Sequence, residues 1–302
     1  EHSADTASSD PLCITKQSAA EEKVVLFRTM FMGREDVYAR RWKSKEGKTG
    51  YSPVCANEWK RGICPKPKVK CAKCAYADYL PYDDLAVKKH LRGECVLGIY
   101  PLREDNTCHF LAIDFDEDDW RAEVLAAANV CKEKDVPYAI EISRSGNGAH
   151  LWFFFADPLP ASQARAFGSV LLSDAMNSHA RLSFSSYDRM FPNQDTLPKG
   201  GFGNLIALPF QKEAYRNGGS VFVNEALEPF GDQWIFLSAV QKITSSQMEQ
   251  WLTQWKAPPL GELREDDTEE SKPWHKKEQT LSTADVPTMA KCVVADRLYL
   301  PV

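Results

Sequence analysis

The stretch LAIDFDEDDW, residues 111–120, constrains the fold more than any other part of the chain. Leu111, Ala112, Ile113 and Phe115 ask for a buried strand, yet Asp114 and Asp116 stand inside and beside them. Acidic residues are depleted in strands, and a buried carboxylate without a partner is costly. Residues two apart on a strand point to the same side, so both carboxylates face one way and Phe115 the other. Adjacent carboxylates repel unless a cation or proton lies between them. Their oxygens suit one hard divalent ion, or two close together. The run Asp116 to Asp119 also suits a helix N-terminus, but that reading leaves Asp114 unexplained.

The surrounding sequence alternates strand and helix patterns, with hairpins mixed in, which predicts an α/β or α+β class. VLGIYPL (96–102) and CHFLAIDFD (108–116) read as two strands joined by the turn EDNT. Residues 116–135 read as a helix with Trp120, Val124, Ala128 and Cys131 on one stripe. YAIEIS (138–143) and HLWFFFA (150–156) read as strands around the turn SGNG, and 160–178 as an amphipathic helix. A loop with Pro192, Pro198 and KGGFGN leads to a strand NLIALPF (204–210), and Ser246 with Glu249 forms a capping-box pattern. GREDVYARRW (33–42) reads as a helix with polar and basic faces.

Residues 1–22 read as a loose, disordered tail, 23–255 as one folded domain, and 256–302 as a charged, Pro-containing linker entering a further region. The missing initial Met and the apolar end RLYLPV read as a piece of a longer protein. There is no signal peptide pattern at EHSADTASSD, and no apolar run nears the roughly 18–20 residues that crossing a bilayer takes, so no membrane partner is expected.

The net charge of −5 argues against a nucleic-acid partner, but its distribution argues for one. Eleven Lys or Arg and two acids between Arg40 and Cys74 make that segment +9, leaving −14 elsewhere. A basic module on an acidic body fits a local polyanion contact, and also a solvated lysine-rich surface. Residues 44–80 lack periodicity and hold Cys55, Cys64, Cys71 and Cys74. Four thiolates in twenty residues suit a tetrahedral structural Zn²⁺, which would organise a segment too poor in apolar residues to fold alone. A redox CxxC or two disulfides are the alternatives. The nine cysteines are an odd number with no secretion signal, which reads as a reduced, cytoplasmic setting.

Two further motifs stand apart. SRSGNGAH (143–150) places a glycine turn between strands, where backbone N–H groups can meet phosphate oxygens; by itself it reads equally as a plain hairpin with a structural His150. SSYDRMFPNQDT (185–196) offers Asp188 as a third carboxylate, with Asp195 as competitor and a surface loop as the plain alternative.

In this order, AIDFD, SRSGNGAH and SYDR resemble the three catalytic motifs of the archaeo-eukaryotic primase superfamily. The resemblance spans about residues 24–240 and is strongest to the primase-polymerase domain of TOTE conflict systems, with CRISPR-associated primase-polymerases as relatives. GREDVYARRW, GYSPVCANEW, SRSGNGAHLWFFF and FPNQDTLPKGGFGNLIALPFQ carry it. It implies a primase catalytic core, an α/β unit packed against an RNA-recognition-motif-like sheet, with the zinc module inserted. It implies a template-directed primase-polymerase that joins dNTPs or NTPs into primers on single-stranded DNA or RNA. Asp114, Asp116 and Asp188 would hold two Mg²⁺ or Mn²⁺ ions. Arg144, Ser145, Asn147 and His150 would hold the triphosphate, although Asn147 stands where some members have Lys. Arg40, Arg41, Lys66, Lys68 and Lys70 would meet the template, with Trp42, Tyr51 and Trp59 as candidate stacking platforms; for Trp59 packing inside the module is the expectation. A helicase-type region is expected to follow. A non-catalytic nucleic-acid-binding module and a DxD nucleotide-sugar glycosyltransferase are the competing readings.

Overall fold

Alternation of apolar side chains along β4 (Thr107–Phe115) and β6 (Ala149–Pro160) builds a sheet that is buried on both faces. The structure is a computed structural model, and it describes residues 13–116, 118–178 and 189–256. β4 and β6 pair antiparallel at the centre of a five-stranded sheet of order β7-β4-β6-β5-β9, with β5 Ala139–Ile142, β7 Met190–Phe191 and β9 Val221–Val223. α3 (Trp120–Glu133) follows β4, and α4 (Ala161–Ser178) follows β6. The run β4-α3-β5-β6-α4-β7 in spatial order β7-β4-β6-β5 is the split βαββαβ arrangement of RNA-recognition-motif-like sheets.

One face of this sheet carries Leu111, Ile113, Phe115, Leu151, Phe153 and Phe155 against α3, α4 and α7 (Ser245–Gln254). The other carries Phe110, Ala112, Trp152, Phe154 and Phe222 against α1 (Ala20–Met30) and α2 (Asp84–Arg92). Trp152 is fully buried there, stacked on Phe154 at 5.9 Å and edge-on to Phe31 at 5.2 Å. Burial of a side chain of this class contributes roughly 1.5–3 kcal/mol. A second sheet, β2-β1-β3-β8, is also antiparallel: β1 Ala39–Lys43, β2 Thr49–Pro53, β3 Leu97–Ile99 and β8 Ile206–Ala207. α5 (Lys212–Arg216), α6 (Gln233–Ala239) and a single 3-10 turn at Cys71–Lys73 complete the described elements. Among the described residues no helix is long and apolar enough to cross a membrane.

Several expectations are corrected. Residues 33–42 do not form a helix; β1 lies there, because Ala39 to Lys43 find pairing partners on β2 and β3, and tertiary pairing overrides local helix preference. The strands on either side of EDNT do not form a hairpin: β3 and β4 belong to different sheets. The strand expected over 204–210 shortens to Ile206–Ala207. The cap of α7 is Thr244 with Gln247, two residues before the expected pair. Residues 13–22 are not a loose tail: the Lys16 N–H donates to Asp232 Oδ2 at 2.8 Å, Ile14 is buried and α1 starts at Ala20. The remaining tail and most of the 256–302 linker lie outside the described residues. The segment 44–80 begins within the β1–β2 hairpin, so β2 belongs to the second sheet and the irregular module starts after Pro53.

Candidate active site

Asp114 lies directly across from His150 in the β4–β6 register, and His150 directly across from Glu141 in the β5–β6 register. The three side chains therefore form one row across the sheet, on the face opposite Ile113 and Phe115. His150 Nδ1 is 2.9 Å from Glu141 Oε2, which also accepts the Trp152 Nε1–H at 2.9 Å. His150 Nε2 is 3.5 Å from Asp114 Oδ1. Burial works to lower the His150 pKa, but the Glu141 charge and hydrogen bond, then Asp114, outweigh it and raise it above the usual value. The row brings the His150 imidazole beside the first carboxylate of the DxD.

The glycine turn closes on the second. A Cβ at Gly148 would stand 2.7 Å from the Phe115 carbonyl oxygen and 3.3 Å from Asp116 Cα, so only glycine permits this approach. Within the turn, Gly146 has φ +76°, the Gly146 N–H donates to the Ser143 carbonyl at 3.0 Å, and the Asn147 N–H donates to Ser145 Oγ at 3.2 Å. Arg144, Ser145 and Asn147 are exposed at its tip. Asp116 is half exposed and forms an ion pair with Arg189. β7 begins at the next residue and pairs with β4 through Ile113↔Met190. Asp188 lies outside the described residues. Its competitor Asp195 accepts from Arg165 Nη1 at 2.5 Å. Arg165 belongs to α4, which packs under the β4 face opposite Asp114. That pairing gives Asp195 a structural partner away from the DxD.

Cys55, Cys64, Cys71 and Cys74 line one small cavity with Lys66 and Tyr79. None is in a disulfide, which removes the two-disulfide reading. The Asn57 and Asp78 N–H groups both point at Cys55 Sγ at 3.4 Å. The Tyr79 hydroxyl donates to the Cys71 carbonyl at 2.6 Å, and its pKa is pushed up to about 12 by burial and then by the Cys71, Cys55 and Cys74 sulfurs. Among the described residues, no set of three or more His, Cys, Asp or Glu side chains closes into a ligating group. The basic residues divide. Lys68 and Lys70 are exposed, while Arg40 and the half-buried Lys66 both pair with Glu58, at 3.0 and 2.8 Å. Trp59 is 67% exposed and not packed inside the module. Trp42 is exposed against Gly50 of β2. Tyr51 packs beside Val37, Ala39 and Tyr100, and its buried hydroxyl has no hydrogen-bond partner among the described residues. Burial pushes its phenol up against the pull of Arg144 and Arg41, which places it within reach of the turn's charge.

A family model described as the TOTE conflict system archaeo-eukaryotic primase domain matches residues 22–251, well over half the chain. The chain belongs to that family. This primase domain also has a distant likeness to the polymerase domain from Mycobacterium tuberculosis Ligase D in complex with DNA, at 12% identity and a TM-score of 0.37, covering 77% of this chain and 85% of that one. No curated protein matches it.

In the primase domain, AIDFD and SRSGNGAH meet at one end of the central sheet, as Asp114↔His150 pairing and the Gly148–Phe115 approach record. Two functional neighbours escaped the sequence reading. Glu141 sits in YAIEIS as an acid between two isoleucines, the same anomaly that singles out Asp114. Arg189 is the last letter of SYDR, and nothing in its type distinguishes it from a surface arginine. The carboxylates offer hard oxygen donors that suit a divalent ion, and Asp116 already pairs with the Arg189 cation. The cysteine cavity holds four soft thiol donors with N–H groups aimed at Cys55 sulfur, but among the described residues the four do not close into a ligating set.

Proposed function

We propose that this primase domain joins dNTPs or NTPs into primers on a single-stranded DNA or RNA template by nucleotidyl transfer. The observation that supports it is the cross-strand row that sets His150 and the glycine turn against Asp114 and Asp116. In this reading Asp114, Asp116 and Asp188 hold two Mg²⁺ or Mn²⁺ ions. Bound there, such ions lower the pKa of the attacking 3′-hydroxyl and neutralise the leaving pyrophosphate. The chain's own groups receive the triphosphate. His150 donates from Nε2, and Arg144 and Ser145 reach from the exposed tip of the turn. Asn147 adds an uncharged contact.

The module after β2 presents the template side. Lys68, Lys70 and Arg41 supply positive charge and Trp59 and Trp42 supply exposed rings, the combination that tracks a single strand without reading its sequence. Arg40 and Lys66 contribute less, because both pair with Glu58, which offsets one of their two charges. Zn²⁺ held by Cys55, Cys64, Cys71 and Cys74 would fix the module's shape.

The test is de novo primer synthesis on single-stranded DNA with labelled dNTPs or NTPs and Mn²⁺ or Mg²⁺, beside an Asp114→Ala/Asp116→Ala double variant. Product from the wild type alone is expected. No product under any condition, with equal strand binding by both proteins, would leave a non-catalytic binding module.

A further inference from the structure

Glu141 is 98% shielded from solvent at its side chain, in the middle of a sheet face otherwise filled by Ala139, Trp152, Phe154 and Phe222. An apolar residue would fill that position without desolvating a carboxylate, whose burial is tolerated only where donors meet it. Here two donors meet one oxygen. The Trp152 Nε1–H and His150 Nδ1 both lie 2.9 Å from Glu141 Oε2. An ionised carboxylate only accepts, so the hydrogen between Glu141 and His150 is carried on Nδ1.

We propose that Glu141 is a positioning residue that holds the His150 imidazole by Nδ1 and so presents Nε2 to the Asp114 side of the site, where a nucleotide's phosphates are received. The proposal rests on the nucleotidyl-transfer reading for the identity of that ligand. The orientation of the ring itself rests on geometry. The outer torsion of a histidine side chain is broad and admits a flipped ring. Flipping would exchange Nδ1 for carbon at Glu141 and turn Nε2 away from Asp114. Glu141 prevents it, and Glu141 is anchored in turn. Trp152, which supplies its second donor, is immobilised by stacking on Phe154 with ring planes 4° apart, by an edge contact to Phe31 and by a tilted contact to Phe110. Each partner in the chain Trp152–Glu141–His150 is thus fixed by the one more deeply buried, as in histidines whose second nitrogen is tied to a carboxylate behind the working one.

Two measurements test it. The first is a double-mutant cycle on nucleotide incorporation with Glu141→Gln and His150→Ala. Glu141→Gln is expected to lower kcat/KM for the nucleotide about ten- to a hundredfold, through KM and with template affinity unchanged. In the His150→Ala background it should change kcat/KM by less than about twofold. Equal losses in both backgrounds, or a parallel loss of template affinity, would show a merely structural acid and overturn the proposal. The second needs no activity, and a variant only to assign one signal. Long-range ¹H–¹⁵N correlation spectra of the wild type labelled at histidine, with His150 assigned by His150→Gln, should show Nδ1 protonated. A His150 ring protonated on Nε2 alone would overturn the proposal. Failure of the wild type to make product would sink the polymerase reading and leave this second result to decide Glu141.

Discussion

Arg189 forms an ion pair with Asp116, the outer carboxylate of the DxD, from the residue that precedes β7. A guanidinium there competes with any cation for the same oxygens. Both partners are partly exposed, so the pair is worth at most about 1 kcal/mol. Arg189→Gln should therefore tighten divalent-ion binding by up to about fivefold in calorimetric titration with Mn²⁺. Weaker binding in the variant would mean that Arg189 orients Asp116 for the ion and does not rival it.

Gly148 separates two effects of glycine in one turn. Gly148→Ala puts a methyl against the Phe115 carbonyl and Asp116 backbone, neither of which can move without shifting the DxD. A displacement on the order of 1 Å costs about 10²-fold in rate. Gly146→Ala meets open space, and its positive φ costs stability of about 1 kcal/mol while incorporation is kept. Primer-synthesis rates and melting curves of the two variants should show opposite patterns.

His90 makes stability fall with acid. It is fully buried, accepts the Leu97 N–H on Nδ1 at 3.1 Å and donates from Nε2 to the Pro209 carbonyl at 2.7 Å. The Leu97 bond needs Nδ1 unprotonated, and burial lowers the ring's pKa from 6.5 to about 4 although the Pro209 carbonyl pulls it the other way. Below the unfolded value the unfolded chain binds a proton that the folded one refuses. The contribution is whole above about pH 6.5 and shrinks as pH falls toward 4, by about 3 kcal/mol in all. Urea midpoints between pH 7 and 4 should drop more steeply for the wild type than for His90→Gln. Parallel slopes would remove His90 as the cause.

Trp59 is exposed and carries Lys66 5.6 Å from its ring centroid. Trp59→Ala should leave the melting temperature unchanged and weaken binding of a labelled single-stranded oligonucleotide by about 1–3 kcal/mol. Unchanged binding would place the template elsewhere.

The four cysteines should bring about one Zn²⁺ per chain, read by elemental analysis. Cys64→Ser, or a strong chelator, should release it and raise hydrogen exchange across 54–80, while β4 and β6 keep their protection. A metal-free wild type with the same protection in 54–80 would dismiss the ion.

The sequence made β4, β6, α3 and α4 legible because each carries a long, regular apolar pattern. It misled at 33–42, where the strand exists only through partners distant in the chain, and at 96–116, where two good strands belong to different sheets. Asp114 was legible as an acid in an apolar run. Glu141 carried the same signal between Ile140 and Ile142, but only the register opposite His150 gives it a role. Arg189 and the Arg165–Asp195 pair could not be read, because an arginine's partner is a matter of packing, not of spacing.

β4 sends Leu111, Ile113 and Phe115 to the helices and Ala112 and Asp114 to the opposite layer. Which residue reaches the site is thus a matter of parity along the strand. A point substitution alters one side chain. Gain or loss of a single residue between Phe110 and Asp114 inverts every one of them, driving the carboxylate among the helices and bringing Ile113 or Phe115 into its place. Variants of this chain that keep the site can therefore differ in the spelling of β4 but not in its length, and changes in length belong in the turn from Arg103 to Thr107, where the backbone closes on itself before the count begins.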